Sequence, residues 1–293
     1  MERNFGASPI MERNFVVNST GVLKKVLLCR PDYIEIEPID EISKSWYEKE
    51  YEINKEECIK EHEELVQAYQ QNGIKVILID GKPKLKNQVF SRDFGATIKE
   101  GYILGNFKET VRKEETKEYE DKLKELEIPC VAKCEKGVFE GGDFWFLDDK
   151  TIAIGTVDRT NLEGIEEIRR QIERFGYEVI AARAEKGNLH LDMCFNVVAE
   201  RLAVACIEVL SQDFLRVLKE KKFQLIDVPK EGIAKHYCNI EALGNNKVMS
   251  FYNNKEVNEK LEAYGIEVIK ISLNELLKSG GGIHCMTFPI IRE

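Results

Sequence analysis

The sequence predicts an α/β repeat fold, a closed pseudo-fivefold assembly of strand–strand–helix–strand units. Three observations carry that prediction. Strand and helix signals recur at roughly 45–50 residues, a period found in solenoids, propellers and other repeat assemblies. The segments after three of the helices share one turn-plus-strand pattern: NGIKVIL from Asn72, FGYEVIA from Phe175 and YGIEVIK from Tyr264. The first unit lacks its leading strand, whereas the last ends on a spare one at residues 285–290. Closing the ring with that C-terminal strand would remove the exposed sheet edges. Two Rossmann-like domains would also mix strands and helices. However, no GxGxxG stands at a strand-to-helix turn, and no GxxxxGK[ST] phosphate loop is present.

The elements follow in order. Residues 22–28 read as a strand ended by Arg30-Pro31, 55–71 as a charged helix stopped at Asn72-Gly73, and 75–79 as a short apolar strand. The second unit has strands at 88–98 and 102–104, a helix at 114–126 and a strand at 130–132. The third has strands at 138–146 and 151–154, a helix at 162–175 and a strand at 178–181. The fourth begins at 188–194, continues through 196–204, and carries a helix at 212–220 and a strand at 223–228. The fifth has strands at 239–243 and 247–251, a helix at 255–264 and a strand at 267–271. MERNF occurs twice, from Met1 and from Met11, and carries no structural weight. Residues 1–20 are expected to form a poorly ordered N-terminal extension, and 21–293 a single catalytic domain.

Composition excludes several function classes. The chain has 293 residues, enough to bury a large core, with 52 acidic against 43 basic residues and a formal charge of -9. That balance disfavours nucleic-acid binding, which needs a basic surface. No apolar run reaches the length of a membrane span, and no targeting segment is evident, so a cytoplasmic location without membrane association is expected. The eight cysteines are expected to be reduced, most of them small core hydrophobes. Cys130 and Cys134 lack the partners of a metal site. The Lys/Glu-rich helices read as a solvated outer shell, and His62 in EHEE as a surface residue.

Four polar islands interrupt apolar runs near the starts of units: Phe90–Gly95 (FSRDFG), Phe139–Phe146 (FEGGDFWF), Leu189–Phe195 (LHLDMCF) and Gly282–Cys285 (GIHC). In a repeat assembly, equivalent positions of different units converge on the axis. Strand period puts His190 and Asp192 on one face. Carboxylates with aromatic neighbours can line a negative pocket for a cation or form an ion-pair network between repeats. Gly280, Gly281 and Gly282 lead to Cys285, and glycines so costly in entropy point to close approach of main chain to a ligand. His284 adjoins this candidate nucleophile. On a strand, though, the two would face opposite ways, which favours His190 as its partner.

With these motifs in this order, the sequence resembles the guanidino-group modifying superfamily of arginine deiminases, dimethylarginine dimethylaminohydrolases, agmatine deiminases and amidinotransferases. The resemblance covers residues 21–289 and rests on Arg92-Asp93, EGGD from Glu140, HLD from His190 and GGGxxC from Gly280. It implies a five-bladed ββαβ propeller. By position, Cys285 matches the nucleophile, His190 the general acid/base, and Glu140 the acid that orients the histidine. Asp93 and Asp192 match the carboxylates that hold the guanidinium, and Asp143 a supporting acid. Arg112 and Arg159 match the arginines that hold a substrate α-carboxylate; His284, Gly281 and Gly282 support the nucleophile.

The implied activity is hydrolysis of the guanidino group of arginine or an Nω-substituted arginine, giving citrulline through a thiouronium intermediate. No metal or cofactor is implied. The expected partner is a small cationic guanidino substrate; members often form homodimers. Alternatives are amidino transfer to an amine, hydrolysis through to ornithine, and a non-catalytic guanidine-binding module. Two positions depart from the deiminase pattern: His284 replaces an arginine, and Val157 replaces the serine of GxSxRT. The IHC sequence is similar to that of agmatine deiminases and some amidinotransferases. The asparagine tied to the dihydrolases is not evident after Pro38, where Ile39-Asp40-Glu41 stands.

Overall fold

The computed structural model describes residues 15–293. In chain order, its elements are β1 (Leu23–Cys29), α1 (Glu41–Tyr47), α2 (Lys55–Gln71) and β2 (Lys75–Ile79). Next come β3 (Gly95–Ile98), β4 (Gly101–Leu104), α3 (Glu115–Glu125) and β5 (Cys130–Lys133), then β6 (Phe144–Phe146), β7 (Thr151–Thr156), α4 (Leu162–Ile172) and β8 (Glu178–Arg183). The fourth group is β9 (Phe195–Ala199), β10 (Leu202–Ala205), α5 (Gln212–Glu220) and β11 (Gln224–Asp227). The fifth is β12 (Glu241–Gly244), β13 (Lys247–Phe251), α6 (Lys255–Ala263) and β14 (Glu267–Ile271), followed by α7 (Ile283–Met286) and β15 (Phe288–Arg292).

These strands form five separate three-stranded sheets. In each, the first strand pairs antiparallel with the middle one, and the middle one pairs parallel with the third across a helical crossover. The helix-to-strand turns explain the shared sequence pattern. Gly73, Gly176 and Gly265 have φ of 75°, 83° and 77°, the left-handed conformation that ends a helix and suits glycine. Glu127 and Lys222 take the same conformation in the other two units, without the glycine signal.

The expected closure by the C-terminal strand is overturned. Among the described residues no sheet is closed, and β15 instead serves as an edge strand of the first blade, in the order β15–β1–β2. Pro289 on β15 has no N–H to donate, as suits an edge position. The first strands of neighbouring blades pack side by side, β15 on β3 and β9 on β12, rather than forming one continuous ladder.

The polar islands are not strands. Residues 141–143 and 191–193 form single 3-10 turns, 283–286 a helical turn, and 90–94 turns that precede β3. Their apolar neighbours alternate as in a strand, but the polar residues sit where the chain bends before entering β3, β6, β9 and β15. The face-sharing argument for His190 and Asp192 therefore fails, as does the opposition argument for His284 and Cys285.

Apolar faces of the helices cover the sheets. Cys58, Leu65 and Tyr69 of α2 recur at helical spacing and are buried. His62 lies on that same face and is buried too, contrary to its expected surface position; burial pushes its pKa down to about 4. Of the expected extension, residues 1–14 lie outside the described residues. Phe15 and Val16 are buried, and their N–H groups donate to Lys99 and Ile98. All eight cysteines are free. No helix among the described residues is long and apolar enough to cross a membrane.

Candidate active site

Each blade contributes one polar side chain just ahead of its first strand: Asp93, Asp143, Asp192, Asn239 and Cys285. All are buried. Together with their neighbours they build a site around a small pocket lined by Phe90, Asp93, Arg112, Arg159, Gly281 and Cys285.

The segment leading to Cys285 is tied down before it arrives. Glu61 on α2 accepts backbone N–H groups from Asn274, Glu275 and Leu276. Gly280 has φ of 105°, and a side chain on Gly281 would place its Cβ 2.6 Å from the Phe90 ring. The glycine run thus permits both the turn and the close approach that the sequence suggested.

Around the sulfur, Asn239 Nδ2 donates to Cys285 Sγ at 3.0 Å, and the thiol donates to Asp192 Oδ2 at 3.4 Å. Asn239 Oδ1 also accepts the Cys285 N–H at 3.3 Å. Burial, with the charges of Asp192 and Asp93, holds the thiol pKa well above its ordinary value. His284 makes its hydrogen bond to Asp192 and not to the sulfur. An arginine can only donate, so its contact with Arg92 makes His284 Nε2 the acceptor and Nδ1 the donor to Asp192 Oδ2, at 2.7 Å. The His284 ring stacks on Trp145 at 4.5 Å. Burial, aided by Arg92, keeps its pKa low, which suits this neutral form.

On the other side, His190 Nε2 bonds Glu140 Oε2 at 2.9 Å, and its Nδ1 lies 3.6 Å from Asp93 Oδ1. Burial opposes protonation of this ring, but the Asp93 and Glu140 carboxylates overcome it and push the pKa up to about 10. Glu140 falls to about 2: burial works against its charge, and His190 with Arg159 outweighs that. Asp93 moves up because burial outweighs the help of His190 and Arg112. Asp143 is pushed up to about 7 by burial and accepts the Leu191 N–H at 2.8 Å, joining the turns before β6 and β9.

Ligand atoms of Asp93, Glu140 and His190 lie within 4.8 Å of one another. A protonated His190 offers no lone pair, so this group fits an organic cation with N–H donors better than a metal ion. Among the described residues, Asp93 Oδ1, His190 Nδ1, Asp192 Oδ1 and Arg159 Nη1 are buried and find no hydrogen-bond partner. Buried polar atoms rarely stay without a hydrogen bond; here Asp93 and Arg159 line the pocket, and His190 and Asp192 adjoin its Asp93 and Cys285.

The expected site residues therefore fall into two connected groups, Cys285–Asp192–His284 and His190–Glu140–Asp93. The two arginines differ. Arg159 Nη2 donates to the Ile39 carbonyl at 2.6 Å, and its Nη1 lies 3.6 Å from Glu140 Oε2. Each nitrogen of Arg112 already meets a protein acceptor. Sequence reasoning missed Asn239, Phe90 and Glu115 as site residues. Asn239 is within reach: it stands two residues ahead of β12, as Asp93 stands two ahead of β3.

The family model described as N,N dimethylarginine dimethylhydrolase, eukaryotic, matches residues 30–292. The sequence is 29% identical over 272 residues to the uncharacterized protein YkgA of Bacillus subtilis, covering 93% of each chain. It is 26% identical over 265 residues to an arginine deiminase of Borreliella afzelii, covering 76% of this chain and 64% of that one, just under two thirds of the deiminase's length. The fold is similar to that of the product-bound N-terminal domain of ArgZ, an arginine dihydrolase from the ornithine–ammonia cycle in cyanobacteria. That likeness has a TM-score of 0.82 at 21% identity and covers 92% of this chain and 97% of that one. It is also similar to a cysteine-to-serine variant of a DDAH from Pseudomonas aeruginosa complexed with citrulline, with a TM-score of 0.77 at 21% identity, covering 92% and 100% of the chains. At these identities the likeness to solved structures is one of fold.

Proposed function

The chain belongs to the N,N-dimethylarginine dimethylhydrolase family of the guanidino-group modifying enzymes, and on that premise we propose that it hydrolyses the guanidino group of free arginine or an Nω-substituted arginine through a covalent intermediate on Cys285. The chemistry is that of an enzyme acting on a linear amidine. The observation that carries the residue assignment is a buried thiol between Asn239 and Asp192, beside a pocket whose other side holds His190 between two carboxylates.

The reaction runs as follows. The guanidinium lies against Asp93 and Asp192, whose paired hydrogen bonds fix its plane. Its charge offsets Asp192, which accepts from the Cys285 thiol, so substrate entry favours the thiolate, and the thiol proton is released to solvent. The sulfur attacks the central carbon. His190, protonated at rest, gives its proton to the departing amine as the C–N bond breaks, leaving a thiouronium. The neutral His190 then takes a proton from water, whose oxygen adds to the same carbon. Collapse expels the sulfur and yields citrulline, with ammonia or an amine as the first product. Arg159, whose Nη1 makes no hydrogen bond among the described residues, meets the distal carboxylate.

A second reading, hydrolysis through to ornithine with two ammonia released, has the closer fold likeness behind it: 0.82 for the dihydrolase domain against 0.77 for the DDAH. It requires further water attack before the product leaves. Incubation with arginine, methylated arginines, agmatine and guanidinoacetate, with and without an amine acceptor, separates these outcomes by mass. Citrulline alone supports the first reading and ornithine the second. Acceptor-dependent product points to amidino transfer. Turnover that persists in Cys285→Ala removes the covalent mechanism.

A further inference from the structure

A second polar chamber adjoins the site. Residues from the first strands of all five blades line it: Thr97 of β3, Trp145 of β6, Asn196 of β9, Glu241 of β12 and Arg292 of β15. Arg92 and His284 form its wall on the side of Cys285; the Arg92 N–H donates to the Cys285 carbonyl at 2.9 Å. Asn18 and Ser19 line it too, and they also border an outer hollow with the exposed Lys150 and Arg201.

The chamber carries an excess of positive charge. Arg292 is buried and pairs with Glu241 through Nη2, while its Nη1 donates to the carbonyls of Ala242 and Gly21 at 2.7 and 3.0 Å. Arg92 has no such counter-charge. Among the described residues it forms no ion pair; its Nη2 donates to neutral His284, and its Nε is buried without a hydrogen-bond partner. Two guanidinium groups thus share one carboxylate. Burial lowers the Arg292 pKa, and Arg92 adds to that fall against the help of Glu241. A cation shielded from water needs a compensating charge.

Trp145 supplies a second unused donor. It is 3% exposed, and its Nε1 finds no hydrogen-bond partner among the described residues. Arg92 and Trp145 flank the same imidazole: one bonds the edge of His284, the other stacks on its face at 4.5 Å.

We propose that this chamber binds one small monovalent anion of the halide class, held by Arg92 Nε and Trp145 Nε1. A single negative charge balances the single excess guanidinium. A divalent oxyanion would overshoot that balance and would need more donors than the two on offer. A guanidinium is excluded by sign, so this site is distinct from the substrate pocket whatever guanidino compound is turned over. Two acceptors of the chamber, Glu241 Oε2 and Asn196 Oδ1, also lack a hydrogen bond among the described residues. A water molecule can give one hydrogen to such an oxygen and the other to the anion. The anion tethers Arg92 by its Nε edge and so keeps Nη2 on His284, whose other nitrogen donates to Asp192.

Bromide and chloride are the probes. Crystals grown in sodium bromide, with data collected at the bromine edge, are expected to show an anomalous peak in contact with Arg92 Nε and Trp145 Nε1. In solution, thermal melting is compared in sodium chloride and sodium gluconate at equal ionic strength. Chloride is expected to raise the wild-type Tm by about 2–4 °C. Trp145→Phe keeps a ring on His284 but removes the donor, and Arg92→Gln removes the cation; each should lose most of that increment. Melting in gluconate reports how far each variant is destabilised in itself, so the chloride increment is read separately from folding. Water alone at this position in the bromide crystals overturns the proposal. So does a chloride increment that is absent in the wild type or that survives unchanged in Trp145→Phe. If Arg92→Gln does not fold, the wild-type bromide map and the Trp145→Phe increment decide.

Discussion

Replacing Asn239 by alanine tests the account of the nucleophile at its most specific point. Asn239 is fully buried, and its Nδ2 stands 3.0 Å from Cys285 Sγ. A neutral donor facing a thiol gains little, whereas the same donor facing a thiolate makes a charge-assisted bond. Hydrogen bonds to charged groups contribute about 1.5–3 kcal/mol. Removing this one raises the thiol pKa further, on top of the elevation that burial, Asp192 and Asp93 already impose. The thiolate population at a fixed pH then falls about 10–100-fold, and kcat/KM falls with it. The assay pairs two measurements. One is the pH dependence of Cys285 alkylation by iodoacetamide in the free enzyme; the other is kcat/KM for the best guanidino substrate. Asn239→Asp, which adds a negative charge at the same place, is expected to be worse than alanine in both. If Asn239→Ala alkylates with the wild-type pH profile and keeps kcat/KM within twofold, the bond does not support the thiolate and the reasoning is refuted.

Three further outcomes are expected. Gly282→Ala would put a Cβ 2.7 Å from Asn239 Oδ1, so it should reproduce much of the Asn239→Ala loss in kcat/KM while melting within a few degrees of wild type; retention of full activity would contradict the tight approach. His284→Phe keeps a ring against Trp145 but removes the bond to Asp192, so kcat should drop about tenfold, the effect of roughly 1.4 kcal/mol, and rate measurements at saturating substrate check it. The His190 pKa, raised to about 10, contributes stability that is fully present below about 6.5 and lost as pH rises through about 10. Thermal melting between pH 6 and 11 should show that decline in the wild type, and His190→Asn should lack it.

The sequence exposes repetition better than it exposes bends. The helix at 55–71 and the strands at 75–79, 247–251 and 267–271 have the bounds expected of them, because hydrophobic period and glycine stops agree there. The segments before β3, β6 and β9 read as strands because apolar residues flank each polar one, and local alternation does not distinguish an extended chain from a tight turn. Site residues with a chemical signature, such as Cys285, His190, Glu140 and Asp93, stand out in the sequence. Asn239 lies in the unremarkable run Cys238–Glu241, and only its place in the fifth unit marks it. Glu115 is hidden for another reason: KEETKE reads as solvent-facing, and nothing local shows that Arg112 draws it inward. The closure of the sheets failed on a matter of pairing. A spare strand predicts a partner, but not whether its second edge will also be laddered.

The five entry turns have a consequence for descent. Asp93, Asp143, Asp192, Asn239 and Cys285 each stand on a separate blade, ahead of a strand whose own ladder does not depend on which side chain precedes it. A substitution at one turn can therefore alter what the pocket grips or expels while the remaining four stay in register. Such a scaffold offers selection five semi-independent dials around one axis, and new chemistry can be reached by turning one of them at a time.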